Sequence, residues 1–216
     1  MASLKALHKV LFVIEHLEKL SPWVFLEYEN SSKIVGEKNL LITNVKNKFE
    51  EKKLRKIANT SSKSIKDLVK TGFKNYRVIV LDLKAEEQLK PEDFADKNIV
   101  VVGGILGDHP PRGRTYKYIT KHIMSLENVI ARNLGKEQLT IDGSIYVAYK
   151  VSQGVKLKDL KYVYGLKITS KIGSICHEIY LPYKYPVVNG KPLVNEKLLK
   201  YLQKGIVVDE IMRFEP

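Results

Sequence analysis

The sequence is poor in the features that mark secreted and membrane-spanning proteins. Its 216 residues include one cysteine, Cys176, so no intramolecular disulfide can form, which favours a reducing, cytoplasmic environment. The apolar run at residues 10–14 ends at Glu15 and is shorter than the hydrophobic region of a signal sequence. No stretch approaches the roughly 20 apolar residues that a bilayer-spanning helix needs. We therefore expect a soluble protein without a membrane partner.

Metal-ligand patterns and two common nucleotide-binding motifs are also missing. The histidines are scattered without metal-ligand spacing, so the sequence predicts no metal site. No Gly-Lys-Ser or Gly-Lys-Thr occurs, which excludes a P-loop. In a dinucleotide-binding Rossmann unit a glycine loop follows the first strand and an acidic residue comes later. Here Glu15 follows the first strand and Asp82 precedes the glycines, which disfavours that unit.

Positive charge is what the sequence has in excess. Lysine and arginine total 37 against 24 aspartate and glutamate residues, a formal net charge of +13. Between Lys46 and Arg77 lie eleven basic and three acidic residues, so this basic region carries eight of those charges. Two interpretations stay open: a solvated, lysine-rich face of the kind found in heat-adapted proteins, or a surface that contacts RNA or the ribosome.

Short runs rich in β-branched residues alternate with amphipathic segments along most of the chain. The predicted strands cover residues 9–15, 39–45, 78–83, 99–102 and 129–132, and helices are predicted near 22–36, 64–69, 112–124, 140–152 and 196–203. This alternation predicts an α/β fold with a mainly parallel sheet flanked by helices. We expect residues 1–154 to form that domain and residues 155–216 to form a β-rich extension packed on it.

Residues 99–111 contain the most informative pattern, because a buried strand there runs directly into a glycine-rich loop. Gly103, Gly104 and Gly107 have no Cβ atom, so a ligand could approach the backbone closely. The carboxyl ends of parallel strands are where open α/β sheets bind ligands. Asp108 follows the glycines and is a candidate for polar chemistry. A tight strand-to-helix turn without any ligand explains the glycines equally well.

Another candidate site lies on the first predicted helix. Trp23 and Glu27 are four residues apart and share one helix face. Together they could hold a cationic side chain, by a cation–π contact and a charge-assisted hydrogen bond. A buried tryptophan beside a solvated glutamate is the commoner arrangement.

Several segments, taken together, resemble a known family. They are Ile14-Glu15-His16, Trp23-Val24 with Leu26-Glu27-Tyr28, Gly103-Gly104-Ile105-Leu106-Gly107-Asp108-His109-Pro110-Pro111 followed by Arg112, Arg114 and Thr115, and Arg132-Asn133-Leu134-Gly135 with Gln138, Thr140 and Asp142. In order and spacing they are similar to SPOUT-superfamily methyltransferases related to the yeast enzyme that methylates an arginine of a small-subunit ribosomal protein. The similarity spans residues 9–152, and the segment from Gly103 to Pro111 is its most specific part.

The resemblance implies a trefoil knot in the C-terminal part of the sheet and a bound S-adenosylmethionine, with S-adenosylhomocysteine as the product. Main-chain groups freed by glycines are suited to hold adenine. The residues that the resemblance places at the cofactor are Leu81, Gly103, Gly104, Gly107, Asp108, Leu134, Gly135, Gln138, Leu139 and Thr140.

The resemblance also implies how an acceptor arginine would be handled. Methyl transfer is an in-line displacement that depends on positioning and on removal of a proton. Because arginine has a pKa above about 12, a carboxylate is needed to orient the guanidinium. Asp108 and Glu15 are the predicted catalytic residues. The predicted substrate contacts are Glu15, His16, Trp23, Glu27, Arg112 and Arg114.

Three functions stay open from the sequence. The first is arginine methylation of a ribosomal protein, with a ribosomal protein or subunit as partner. The second is SPOUT-type methylation of rRNA or tRNA, because the basic region suits phosphate. The third is a non-catalytic module that binds ribosomes or RNA. A monomer and a homodimer formed through the knot are both compatible with the sequence.

Overall fold

The computed structural model describes residues 9–95, 97–172 and 175–211, and it contains the predicted parallel sheet. Its six strands are β1 (Lys9–His16), β2 (Leu40–Thr43), β3 (Asn59–Thr60), β4 (Arg77–Leu81), β5 (Lys97–Gly104) and β6 (Val129–Arg132). They lie in the order β3-β2-β1-β5-β4-β6, and every neighbouring pair is parallel. The carboxyl ends of all six strands therefore meet at one edge.

Helices cover both faces of the sheet. They are α1 (Pro22–Val35), α2 (Lys48–Leu54), α3 (Ile65–Thr71), α4 (Lys121–Ile123) and α5 (Ile141–Ser152). The side-chain oxygens of Ser21 and Thr140 cap α1 and α5 by accepting hydrogen bonds from backbone N–H groups. The helix predicted over residues 112–124 is shorter than expected, because a π-helical turn at Tyr116–Thr120 precedes α4.

Alternate residues of the central strand β1 face opposite layers. Phe12 and Ile14 pack with the apolar sides of α1 and α5, whereas Val13 packs with α3 and α4 on the other face. Burial on both faces explains why the strands are continuous apolar runs rather than alternating ones. The loops at the carboxyl edge therefore extend from a sheet that is packed tightly on both faces.

The predicted β-rich C-terminal segment forms a small antiparallel sheet. Its strands are β7 (Tyr162–Ile172), β8 (Ile175–Val188) and β9 (Lys191–Pro192), followed by α6 (Glu196–Ile211). Trp23 and Leu26 of α1 pack against its apolar cluster, which includes Leu181 and Leu202. The backbone N–H of Lys184 donates to the carbonyl of Gln138 at 2.8 Å, so β8 also contacts the loop after β6. None of the helices in the described residues has the length and hydrophobicity needed to cross a membrane.

Candidate active site

A cavity that is partly open to solvent lies at the carboxyl ends of β4, β5 and β6, with about 770 Å³ of empty space including its open side. The walls come from the strand end at Leu81, the glycine-rich loop after β5, and the loop that leads from β6 into α5. The sequence predicted a ligand site at this edge, and the structure contains a cavity there.

Most of the residues predicted to contact a cofactor line this cavity. They are Leu81, Gly103, Asp108, Leu134, Gly135, Gln138, Leu139 and Thr140, and Arg112 and Arg114 line it as well. Gly135 has a φ of +109°, which L side chains rarely adopt. The side-chain oxygen of Gln138 is buried and has no hydrogen-bond partner among the described residues. These features fit a ligand that offers hydrogen-bond donors and approaches the backbone closely.

Gly104 and Gly107, in contrast, do not line the cavity. A Cβ at Gly104 would lie 2.2 Å from the Tyr28 hydroxyl, and one at Gly107 would lie 2.0 Å from Nε2 of Gln138. Both glycines therefore make room for neighbouring side chains rather than for a ligand. The prediction that these two residues contact the cofactor directly is corrected to a packing role that holds the loops together.

Asp108 stands at the mouth of the cavity beside a cation. Its Oδ2 lies 2.6 Å from Nε of Arg114, and each of the two side chains is 25% exposed. The N–H bond is not directed at this oxygen, so the contact is an ion pair rather than an aligned hydrogen bond. Another guanidinium nitrogen of Arg114 donates to the carbonyl of Leu106. Asp108 is thus already placed to hold a guanidinium group.

Two further residues at this loop were missed by the sequence reasoning. Glu18 accepts a hydrogen bond from the backbone N–H of Leu106 at 2.6 Å, and the Tyr183 hydroxyl donates to the carbonyl of Gly107 at 2.8 Å. Burial raises the pKa of Glu18, opposed by the Leu106 hydrogen bond and by the Arg114 charge. The position of Glu18 just beyond the first strand was a usable signal. Tyr183 comes from β8, and no local pattern pointed to it.

Glu15 does not lie in the cavity. Its side chain is fully buried, and its carboxylate accepts hydrogen bonds from the hydroxyls of Thr43 and Ser64 and from the backbone N–H of Ile65 at 2.8 Å. Ser64 and Ile65 begin α3, so Glu15 joins β1 to the start of that helix. The predicted catalytic and substrate-binding roles of Glu15 are corrected to a structural one, because a fully enclosed carboxylate cannot reach an acceptor.

His16 is also buried away from the cavity. Its Nδ1 lies 3.0 Å from the Tyr28 hydroxyl and its Nε2 lies 3.3 Å from a carboxylate oxygen of Glu50. The Tyr28 hydroxyl in turn donates to the carbonyl of Gly104. These contacts hold the ends of β1 and β5 in place. The predicted substrate contact at His16 is therefore corrected to a structural role.

Trp23 and Glu27 contact each other as predicted, but at a helix junction. The indole Nε1 of Trp23 donates to Glu27 at 2.6 Å, and the backbone N–H of Ile141 donates to the other oxygen at 2.8 Å. Glu27 is 2% exposed and therefore joins α1 to the first turn of α5. Neither side chain lines the cavity, so the predicted substrate contacts are replaced by a link between two helices.

A second buried carboxylate, Asp142, lies close to Glu27. It accepts hydrogen bonds from Asn30 at 2.7 Å and from the Thr140 hydroxyl at 2.6 Å. Burial and the Asp142 carboxylate raise the pKa of Glu27 to about 8, and burial raises the pKa of Asp142. This pair therefore retains a proton at neutral pH in the folded protein.

The raised pKa of Glu27 makes stability depend on pH. Between about pH 4.5 and 8 the folded protein holds a proton that the unfolded chain releases, so this stabilisation is complete below pH 4.5 and is lost as pH rises towards 8. We expect the free energy of unfolding to fall by on the order of 2 kcal/mol between pH 5 and 8. Urea unfolding of the unsubstituted protein and of Glu27→Gln measures this. The variant should have a flatter profile, and the exposed-site variant Glu37→Gln should keep the slope; equal slopes for all three would contradict the assignment.

Among the described residues no group of three or more histidine, cysteine, aspartate and glutamate side chains is arranged to hold a metal ion. The parallel sheet, the glycine-rich loops and the cavity at the carboxyl edge form an α/β fold similar to that of SPOUT methyltransferases. Dual-specific Trm10 of Thermococcus kodakaraensis has this fold, with a TM-score of 0.56 and 20% identity over 69% of this chain and 95% of its own.

Residues 11–208 match the family model of the SFM1-like protein arginine N-methyltransferases. The Saccharomyces cerevisiae protein arginine N-methyltransferase SFM1 is 31% identical over 210 residues, which is 89% of this chain and 94% of the relative. The crystal structure of yeast SFM1 complexed with SAM has a TM-score of 0.78 and 29% identity, and the match covers 93% of each chain. The chain belongs to the SFM1-like protein arginine N-methyltransferase family.

Proposed function

We propose that the chain is an S-adenosylmethionine-dependent methyltransferase that modifies an arginine side chain of a small-subunit ribosomal protein. The observation that carries the proposal is Asp108, a carboxylate that holds a guanidinium group at the mouth of the cavity. Membership of the SFM1-like family supports the same chemistry. The yeast relative whose structure contains SAM supports the choice of methyl donor.

The residues at the cavity fit this donor. S-adenosylmethionine, when bound, supplies a methyl group activated by a positively charged sulfur, and S-adenosylhomocysteine remains after transfer. Gly103 and Gly135 leave main-chain groups accessible, and the buried Gln138 oxygen is an acceptor without a partner in the described part of the chain. An adenine amino group is a donor that this oxygen could accept from. The Thr140 hydroxyl is already committed to capping α5.

Asp108 would perform the work on the acceptor side. An arginine side chain is protonated at neutral pH, and its planar group matches a carboxylate by parallel hydrogen bonds. Asp108 would orient the acceptor nitrogen towards the cavity and accept the proton that this nitrogen loses when it is methylated. Its position at the cavity mouth, where it touches both solvent and the ligand space, supports this role.

Donor binding is tested with two glycines that both have a positive φ. Gly135 (φ +109°) lines the cavity, whereas Gly190 (φ +77°) lies in the turn before β9, where an added Cβ would have nothing within 4 Å. We expect calorimetry to show one S-adenosylmethionine per chain and to show at least a tenfold loss of affinity in Gly135→Ala. Gly190→Ala suffers similar backbone strain and should bind normally. Absence of donor binding to the unsubstituted chain would refute the proposed function.

The basic region supports a ribosomal acceptor. It supplies α2 and α3 beside the β2–β3 end of the sheet, whereas the cavity lies at the ends of β4, β5 and β6. Lys52, Lys53 and Lys56 are exposed there. We propose that this surface docks on ribosomal RNA while the cavity takes up a neighbouring protein side chain. An RNA acceptor has weaker support, because the likeness to Trm10 is one of fold.

Reversing the charge of the three exposed lysines separates docking from chemistry. We expect Lys52→Glu, Lys53→Glu and Lys56→Glu, combined, to lower the methylation rate of small ribosomal subunits by about tenfold or more at low salt, because phosphate contacts are lost. S-adenosylmethionine affinity should not change. Filter binding measures docking on the subunits, and methyl incorporation measures the methylation rate. Each is followed at low and at raised salt. Unaltered subunit methylation in the triple variant would show that the basic region is only a solvated face.

The trefoil knot remains part of the proposal. Asn133, at the start of the loop after β6, accepts a backbone hydrogen bond from Leu89 and donates one to Glu87, each at 2.9 Å. These contacts bring the loop after β4 against the loop after β6, which supports a threaded arrangement. A cytoplasmic location and either a monomer or a knot-mediated homodimer complete the proposal, and sedimentation of the purified protein distinguishes the two states.

A further inference from the structure

A guanidinium group of the protein itself occupies a recess beside the cavity. Arg114 places Nε at 2.6 Å from Oδ2 of Asp108, and its Nη2 donates to the carbonyl of Leu106. A carboxylate and a backbone carbonyl are the groups that an incoming arginine would need. The recess is thus a formed guanidinium site with an internal occupant.

A second carboxylate, that of Glu18, holds the backbone of this recess in place. Glu18 is partly buried, accepts from the N–H of Leu106 at 2.6 Å, and so fixes the residue whose carbonyl Arg114 contacts. The charged groups that face Glu18 are Arg114, His16 and Asp108. The Arg114 cation therefore pairs with Asp108 and also interacts electrostatically with Glu18.

Tyr183 of the C-terminal sheet anchors the glycine loop that carries Asp108. Cε1 of Tyr183 would lie 2.7 Å from a Cβ at Gly107, so the ring packs directly on that glycine. The Tyr183 hydroxyl donates to the Gly107 carbonyl, which fixes the ring in place.

We infer that the recess formed by Glu18, Asp108 and the Leu106 carbonyl is the acceptor-arginine subsite, and that Arg114 is an internal substitute which the acceptor displaces. This inference rests on the proposed function. Arg114 already contacts Oδ2 of Asp108 and the Leu106 carbonyl, and a second cation beside it would be repelled. The side chain of Arg114 is 25% exposed, so it has a route out of the recess. Arg114 then lowers the apparent affinity for every acceptor by competing with it.

Binding of the peptide Gly-Arg-Gly, followed by NMR, tests the inference without requiring methyl transfer. We expect Arg114→Ala to bind the peptide about 3- to 10-fold more tightly than the unsubstituted chain, because the competitor is gone. Arg114→Lys keeps the charge but loses the planar fork, so its affinity should be intermediate. Glu18→Gln should weaken binding severalfold, and Glu92→Gln, at an exposed position, should not change it. Equal or weaker binding by Arg114→Ala would overturn the inference.

Steady-state kinetics on small ribosomal subunits give an independent reading. Arg114→Ala should lower KM for the subunits with kcat retained, and Glu18→Gln should raise KM with S-adenosylmethionine affinity unchanged. If Arg114→Ala lowers kcat while donor binding stays normal, Arg114 contributes to the methyl-transfer step itself, and the inference is overturned. Failure of the proposed function has a different signature, namely no donor binding and no transfer by the unsubstituted chain. Thermal melts of each variant confirm that it is folded.

Discussion

Asp108→Asn is expected to reduce methyl transfer by about 100- to 10,000-fold, the range associated with loss of a general base. Asparagine keeps the size of the side chain but removes the charge that holds a guanidinium and cannot accept its proton. Asp108 lines the cavity and contacts Arg114, so the substitution acts where the acceptor must enter. The measurement is the single-turnover rate of methyl incorporation into small ribosomal subunits.

Two controls make this result specific. S-adenosylmethionine affinity of Asp108→Asn should stay within a few fold of normal, because the proposed adenine contacts lie on the Gln138 loop. Asp159→Asn changes an exposed aspartate outside the cavity and should leave the rate unaltered. A single-turnover rate in Asp108→Asn that matches the unsubstituted protein would remove Asp108 from the chemistry.

Glu15→Ala is expected to lower the free energy of unfolding by about 3–5 kcal/mol, because each buried donor left without an acceptor costs about 1–3 kcal/mol. The substitution leaves the hydroxyls of Thr43 and Ser64 and the N–H of Ile65 buried without their common acceptor. For a domain whose total stability is in the range of about 5–15 kcal/mol, much of the protein would unfold on mild heating. Activity should be lost in proportion to folded protein.

Urea unfolding of Glu15→Ala and of the exposed-site variant Glu37→Ala measures this effect. Glu37→Ala should change the free energy of unfolding by less than about 0.5 kcal/mol. Glu15→Gln retains one acceptor oxygen and should fall between the two. If Glu15→Ala unfolds at the normal urea concentration yet fails to transfer methyl groups, the structural role is wrong and the catalytic prediction is restored.

Local signals in the sequence predicted the parallel sheet and five of its six strands, but not β3 or the strand order. Uninterrupted β-branched runs indicate strands buried on both faces, and the structure has them in a parallel sheet. Helix α5 begins directly after its cap Thr140, at the start of the helix predicted near residues 140–152, because a side-chain cap is a local interaction that depends on the sequence there. The position of the ligand cavity was predicted in the same way from local signals, because the carboxyl ends of the parallel strands all lie at one edge of the sheet.

Roles that depend on distant partners were not predictable in this way. The position of Glu15 at a strand end indicated the functional edge, but its partner Ser64 lies 49 residues away and encloses it. A glycine pattern likewise cannot tell whether the glycine lines a cavity, as at Gly135, or makes room for another side chain, as at Gly107. Tyr183 was missed because the C-terminal sheet folds back onto the glycine loop only in three dimensions.

The most direct test is to incubate the protein with methyl-labelled S-adenosylmethionine and intact small ribosomal subunits from cells that lack this activity. Protein and RNA are then separated, and the labelled residue is located by mass spectrometry. We predict that the label is found on one arginine of one subunit protein, and that Asp108→Asn abolishes it. Label in ribosomal RNA, or no label from a protein that binds the donor, would contradict an arginine acceptor at this cavity.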